Sequence, residues 1–561
     1  GDRPPPLGAA VVVLALLLTI GTLWPVTQSN RVRASIHGML HSSILYSIVD
    51  RGVPPENPFF AGEPLRYYWT FHAGAAATAE LADRDPTVVF AAGNAAALLA
   101  FLLLLGRLGA DLFGTRLAGA LAVPLGFLSL NPLGALLLRT RTPLKTLDEI
   151  AAGEDPVNWL TAISLGDERL TATFTKFMNV SSFPQSFALL VAVWLLARRL
   201  VDRPTVPLAA LLALVVGACI ALSPITGAVG GLALGAAGAT LLLRRADRPG
   251  ATWACGALLA GLVVAAPLVA IGSGNAGDTS AEPPHRLEDD GTRYAEKAED
   301  VAFTLGPILL LALPGLWIAR RRGAGARLLV GSLPVLLACA LTLAFPVKSE
   351  YKMVRMAAPL LGVFAAGGVA ALARRGTLPL GLGVAASLAL VVPTHALAWN
   401  VYRRHAEATL PMSADGTRIV VDPAAYPLAG MYEWIRTNTP ADAVIVANPW
   451  RRMLGKHFAG PHHGEEIPVL ARRPVFTDTL YYMTDYEPDQ PARNGLLQRL
   501  YGGARLTPDD ERALAMLRRP IYLLLRSGDP GFTKAALGVA QDRRWERVHQ
   551  AGEGVLYRRT R

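Results

Sequence analysis

The sequence predicts an α-helical polytopic membrane protein that ends in an extracytoplasmic α/β domain. Composition points first to lipid: of 561 residues, 52% are hydrophobic and 17% charged, with a mean hydropathy of +0.34. A soluble chain carries roughly a quarter charged residues. Second, about eleven stretches approach the ~20 apolar residues that a helix needs to cross the hydrocarbon layer. Third, arginine gathers in every second connection between them, as the positive-inside rule requires of cytoplasmic loops.

The predicted spans lie near 8–27, 89–106, 117–135, 183–197, 205–223, 225–243, 252–272, 302–319, 328–345, 356–373 and 377–398. The first is long and lacks a small-x-small cleavage site after it, so it reads as a retained helix and not a signal peptide. The basic connections hold Arg107 and Arg116; Arg198, Arg199 and Arg203; Arg244, Arg245 and Arg248; Arg320, Arg321, Arg322 and Arg327; and Arg374 and Arg375. Only Asp111, Asp202 and Asp247 oppose them. This alternation predicts a multi-pass protein of the cytoplasmic (inner) membrane, with its N-terminus cytoplasmic and its C-terminal domain extracytoplasmic. It also accounts for the net charge of +11 without nucleic acid as a partner.

The expected organisation is a membrane module over 1–398, with outer loops at 28–88, 136–182, 273–301 and 346–355, and an outer domain over 399–561. The tail has more charge and proline and shorter apolar runs. Strands are expected at Val444–Ala447, Ile521–Leu525 and Val555–Arg558, and helices near 427–437, 507–518 and 532–540. Cys219, Cys255 and Cys339 all fall inside apolar runs, which suits small buried hydrophobes better than a disulfide framework or a zinc site. The span interiors are nearly free of charge. Ion-coupled transporters place ionisable groups there, so the chemistry is expected in the outer loops.

The first outer loop is the most informative segment. His37 and His41 are four apart and share a helix face. Apolar spacing at Ile36, Leu40, Ile44, Leu45 and Ile48 predicts an amphipathic helix at the membrane surface. Asp50 and Arg51 end it, Gly52 stops it, and Pro54-Pro55 enforces extended chain. Turns at Pro58 and Gly62-Glu63-Pro64 then lead to Arg66-Tyr67-Tyr68-Trp69, an aromatic belt.

The pattern His37-Gly-x-x-His41, Gly52-x-Pro54-Pro55-x-Asn57-Pro58 and Ala61-Gly62-x-Pro64-Leu65-x-Tyr67-Tyr68-Trp69-x-x-His72 resembles the first outer loop of GT-C superfamily membrane glycosyltransferases. More narrowly it is similar to the "YYY" membrane proteins. Glu350-Tyr351-Lys352 resembles the family's basic junction before a late span, and Tyr432 to Pro440 followed by Ala443 to Val446 resembles the opening of its outer domain. The resemblance implies transfer of a sugar from a polyprenyl-phosphate carrier to an acceptor at the outer membrane face. The implied partners are a lipid-linked sugar donor, membrane lipids and an acceptor whose class stays open.

Such a reaction needs a base for the acceptor hydroxyl and cations for the leaving lipid phosphate. Asp50 is a candidate base, with a solvated helix-end carboxylate as its plain alternative. The family's acidic residue four places before the position of His41 is here His37. Either His37 serves, since imidazole is a base near neutral pH, or Asp50, Glu56 or Glu63 does, or activity is lost. Candidate substrate-binding residues are His41, Tyr67 and His72 in the first loop. Arg66, Lys348, Lys352 and Arg355 are candidate phosphate ligands, the alternative being interfacial snorkelling. His37 and His41 can reach one metal ion, yet no third ligand accompanies them. No metal residues are assigned, no cofactor is firm, and a divalent metal stays open.

Three further segments carry weaker signals. The 273–301 loop holds Asp278, Glu282, Glu288, Asp289, Asp290, Glu296, Glu299 and Asp300; the resemblance implies a flexible cover over the active site, with a solvated acidic loop as the plain alternative. Loop 136–182 holds the pairs Asp148-Glu149, Glu154-Asp155 and Asp167-Glu168. In the tail, Arg451-Arg452, His457, His462-His463 and Glu465-Glu466 form a candidate acceptor-recognition stretch. Competing with glycosyl transfer are a non-catalytic subunit of a membrane complex, with complex partners, and a lipid or polysaccharide transporter.

Overall fold

A computed structural model of the protein describes residues 8–27, 31–33, 36–141, 170, 172–178, 181–273, 286–287, 291–344, 351–404, 409–411, 428–449, 466–478 and 487–560. The chain divides into two compact units. The first holds Gly1–Gln28, Ala92–Val269 and Pro283–Ala406; the second holds Ser29–Ala91, Ala270–Glu282 and Glu407–Arg561. The first outer loop thus shares a unit with the tail.

Among the described residues, eight helices are long and apolar enough to cross a membrane: Pro86–Phe113, Phe183–Asp202, Pro224–Leu242, Arg248–Ala270, Tyr294–Arg320, Ala324–Thr342, Tyr351–Arg375 and Thr377–Asn400. Three shorter apolar helices, Ala9–Trp24, Arg116–Phe127 and Val206–Leu222, lie where the sequence predicts further spans. The helix expected over 117–135 ends at Phe127, and the left-handed Asn131, φ 54°, followed by Pro132 keeps it from continuing into the next helix, Gly134–Arg141. Conversely, the helix ending at Arg320 begins at Gly291. The half of the expected acidic loop that holds Glu296, Glu299 and Asp300 is therefore helical. Its Tyr294-Ala-Glu-Lys-Ala-Glu run is made mostly of good helix formers, and a hydropathy reading misses it because it is polar.

The first unit is built around the helix Tyr351–Ala371, which is buried along nearly its whole length. Small residues let its neighbours approach to backbone contact, the packing mode of helices that gain no hydrophobic drive from lipid. A Cβ on Gly362 would stand 2.2 Å from the Leu125 carbonyl oxygen, and one on Gly315 would stand 1.8 Å from that of Phe364. At the unit's periphery, Leu259, Val263, Leu378 and Leu382 are exposed, a surface suited to hydrocarbon. The three acids of the arginine-rich connections are all engaged. Asp111 pairs with Arg107 at 2.9 Å and with Arg199 at 2.7 Å. Asp247 pairs with Arg327 at 2.6 Å, and Asp202 accepts from the Gly325 amide at 2.8 Å.

In the second unit a four-stranded sheet has the spatial order Val444–Ala447, Ile521–Arg526, Gly554–Arg559, Trp545–Ala551. The first pair is parallel, with Val444 opposite Ile521, and the others are antiparallel. Helices Ala429–Asn438, Gln490–Tyr501, Pro508–Met516 and Phe532–Ala540 accompany it. The two parallel strands, Val444–Ala447 and Ile521–Arg526, are buried along their length, as expected of strands covered on both faces. Trp545–Ala551 escaped the sequence reading because its outward residues are polar: Glu546 and Arg547 are exposed. Beneath the ends of the parallel strands, Arg526 is wholly buried. It donates to Glu466 at 2.8 Å, to Asp529 at 2.9 Å and to the Asn448 carbonyl at 2.6 Å.

Candidate functional site

The first-loop helix runs Ile36–Arg51 and stops where the sequence places its stop. Gly52 has φ 88°, and its amide closes the helix on the Ile48 carbonyl at 2.8 Å. The expectation of an amphipathic helix on the membrane surface is corrected. Every residue from Leu40 to Ile48 is buried, including His41, Ser42, Ser43 and Ser47. The side read as polar carries small hydroxyl residues that pack as interior ones; Ser47 donates to the Glu56 carbonyl at 2.9 Å.

After the helix, the Pro and Gly signals build a tight doubled-back turn. Asn57 and Leu65 amides bond to Glu63 and Pro55 carbonyls at 2.8 and 2.9 Å, and Gly62 at φ 92° makes the reversal. This turn joins the edge of the tail's sheet. Ala61 donates to the Val475 carbonyl at 2.9 Å and Val475 to the Pro58 carbonyl at 3.0 Å. Arg493 donates to the Ala61 and Phe476 carbonyls at 2.7 and 2.6 Å, with its guanidinium 3.8 Å from the Phe60 ring centroid.

Around this frame the expected site residues separate by environment. Glu56 is structural in its contacts: it pairs with Arg51 at 3.3 Å and with Arg519, and accepts from the Gly62 amide at 2.7 Å. Glu63 is half-buried in the turn. Arg66 pairs with Glu487 at 3.5 Å. Tyr67 and Tyr68 stack at 4.0 Å and share a 2.6 Å hydroxyl hydrogen bond. His41 Nδ1 and His72 Nε2 are 2.8 Å apart with the rings stacked at 5.0 Å, beside Phe90. Burial, and then the neighbouring His41, hold His72 well below the usual imidazole range, so His72 is neutral near pH 7.

Asp50 is different. It is half-buried, and its Oδ2 has no hydrogen-bond partner among the described residues. Burial pushes its carboxyl up, while Arg472, Arg51, Arg473 and Arg436 pull it down. It is thus an acid with spare acceptor capacity in a cationic surround, the condition a general base needs. One turn back on the same helix, the buried Tyr46 donates to Asp85 at 2.9 and 3.1 Å.

His37 lies in the helix's first turn, and its side chain falls outside the described residues. Lys348 falls outside them as well. So do Asp148, Glu149, Glu154, Asp155, Asp167, Glu168, Asp278, Glu282, Glu288, Asp289, Asp290, Arg451, Arg452, His457, His462, His463 and Glu465. Lys352 and Arg355 belong to the first unit and are buried in the first turns of the helix Tyr351–Ala371. Arg355 donates to the Ala172 carbonyl at 2.9 Å and lies 5.9 Å from the Tyr351 ring centroid. Lys176, not among the expected phosphate ligands, lies over the same ring at 5.4 Å, so two cations, Lys176 and Arg355, share Tyr351. Among the described residues, no three His, Cys, Asp or Glu side chains are grouped to hold a metal.

Sequence reasoning also missed Asp85, Glu487, Arg472 and Arg473. Asp85 had a legible signal: Asp-Pro-Thr is a helix start, with the carboxylate accepting from the Thr87 amide at 2.9 Å. The Arg472-Arg473 pair carries no local pattern, and only the fold brings it to the first loop.

No protein-family model and no curated protein sequence matches the chain. Solved structures do. ArnT from Cupriavidus metallidurans, bound to undecaprenyl phosphate, superposes with a TM-score of 0.53 at 12% identity, over 98% of this chain and 97% of that one. The chain has the GT-C fold. The Archaeoglobus fulgidus oligosaccharyltransferase in its apo form gives a TM-score of 0.50 at 10% identity, over 92% of this chain and 69% of that one. A multi-pass membrane protein of GT-C architecture is therefore what the sequence encodes.

Proposed function

We propose that this GT-C protein transfers a sugar from a polyprenyl-phosphate carrier to a hydroxyl acceptor at the outer face of the cytoplasmic membrane. The N-terminus is then cytoplasmic, and residues 399–561 form an outer domain. The observation that carries the reading is Asp50: a half-buried acid with an unpartnered oxygen at the end of the first-loop helix in a chain of GT-C fold. In this reaction the acceptor oxygen attacks the anomeric carbon and its proton passes to the Asp50 carboxylate. The bond between that carbon and the phosphate oxygen breaks, and its electron pair leaves with the phosphate. Within the first unit, Lys352, Arg355 and Lys176 are assigned to binding the carrier's phosphate, because cations offset its charge. The undecaprenyl phosphate bound to ArnT supports a carrier of this class.

Binding of undecaprenyl phosphate to the purified protein in lipid nanodiscs, followed by native mass spectrometry, tests the reading. Lys176→Gln with Lys352→Gln is expected to weaken binding about ten- to a hundredfold, the worth of one to two charge-assisted hydrogen bonds. Equal binding by wild type and double variant would remove the cation cluster from the mechanism.

A further inference from the structure

Arg472 sits at the end of the short helical turn Ile467–Ala471 in a left-handed conformation, φ 53°. A non-glycine residue there is strained and persists only when its surroundings fix it. What fixes it is the first loop. Its guanidinium lies 4.1 Å from the Tyr46 ring centroid and 3.4 Å from Asp85 Oδ2. Asp85 is itself held by the Tyr46 hydroxyl and by the Thr87 amide and hydroxyl. Tyr46 and Asp50 are four apart on the first-loop helix and so share a face.

Burial holds the Asp50 carboxyl above its usual range, and four guanidiniums, Arg472 first, then Arg51, Arg473 and Arg436, oppose it. Arg51, from Asp50's own helix, pairs with Glu56. Arg436 is forked onto Glu433. Arg473 spends its donors on the Arg472, Arg436 and Thr439 carbonyls and the Thr439 hydroxyl. Only Arg472 of the four also clamps the residue one turn back on Asp50's face.

We propose that Arg472 is a positioning residue for Asp50, supplied by the tail: stacked on Tyr46 and paired with Asp85, it fixes the end of the first-loop helix and holds a cation beside the Asp50 carboxylate. Burial alone favours the protonated acid, which cannot accept a proton. The cation opposes that shift, so the outer domain supplies part of the charge balance on which the base depends. The catalytic meaning of this rests on the assignment of Asp50 as base.

The test is carbodiimide-driven amide labelling of the full-length protein in nanodiscs between pH 4 and 8, with peptide mass spectrometry reading the labelling midpoint of Asp50. Arg472→Gln is expected to raise the midpoint by about a unit, a tenfold change in proton affinity, and Arg472→Lys to restore most of it. Tyr46→Leu removes the ring on which Arg472 rests without changing charge, and is expected to raise the midpoint in the same direction. An unchanged midpoint in Arg472→Gln overturns the proposal. Should the glutamine variant fail to fold, an unchanged midpoint in Tyr46→Leu overturns it instead. The midpoint is read without turnover. Retained transfer by Asp50→Asn would therefore remove the base assignment while leaving the role of Arg472 to be decided separately.

Discussion

Replacing Arg526 with methionine removes the cation bonded to the buried Glu466 and Asp529 while nearly preserving the side chain's length. In the native protein its guanidinium is buried and bonded to Glu466, Asp529 and the Asn448 carbonyl. Without it, two carboxylates are left facing each other in an interior, and loss of one partner of a buried pair costs about 3–5 kcal/mol. For a unit of this size each kcal/mol moves the midpoint by roughly 2–4 °C, so Arg526→Met is expected to lower the tail's melting temperature by about 6–20 °C. The assay is thermal unfolding of the full chain in nanodiscs, with limited proteolysis at each temperature to report the tail. Adding Glu466→Gln and Asp529→Asn removes the stranded charges and should recover more than half of the loss. A shift under about 2 °C for Arg526→Met would refute the claim that this ion cluster holds the sheet ends together.

Two further outcomes follow from named contacts. Burial pushes the Glu466 carboxyl up to about 7, against the opposing pull of Arg526. Glu466 therefore binds its proton more tightly folded than unfolded, giving stability that is present below about pH 4.5 and lost as pH rises through about 7. Glu466→Gln should flatten the fall in melting temperature between pH 5 and 7.5, and an unchanged slope would contradict it. In the first unit, Gly362→Val drives a branched side chain into the Leu125 carbonyl. It should cut the yield of monodisperse protein by size exclusion and lower its melting midpoint, whereas exposed Leu382→Val should not.

The membrane fold was legible because its signals are local. Apolar length, the arginine alternation and the Gly52 stop each sit within a few residues of what they determine. The tail's two parallel strands were legible as apolar runs, whereas Trp545–Ala551 was hidden by its polar outward residues. The site was legible only in part. Asp50, His41, Tyr67 and His72 stand out in the first loop, but the burial of the first-loop helix depends on partners hundreds of residues away. Arg472, Arg493 and Arg519 reach Asp85, Ala61 and Glu56 across that distance, and nothing near them in the sequence marks the meeting.

The most direct test of the central claim measures release of undecaprenyl phosphate from a panel of undecaprenyl-phosphate sugars by the protein in nanodiscs, with Asp50→Asn beside wild type. The account predicts that wild type consumes at least one donor when acceptor is supplied as membrane extract, and that Asp50→Asn is slower by about 10²–10⁴-fold, the usual worth of a general base, with carrier binding unchanged. Equal turnover by the two proteins, or no donor consumed by a wild type that binds no carrier, would contradict it.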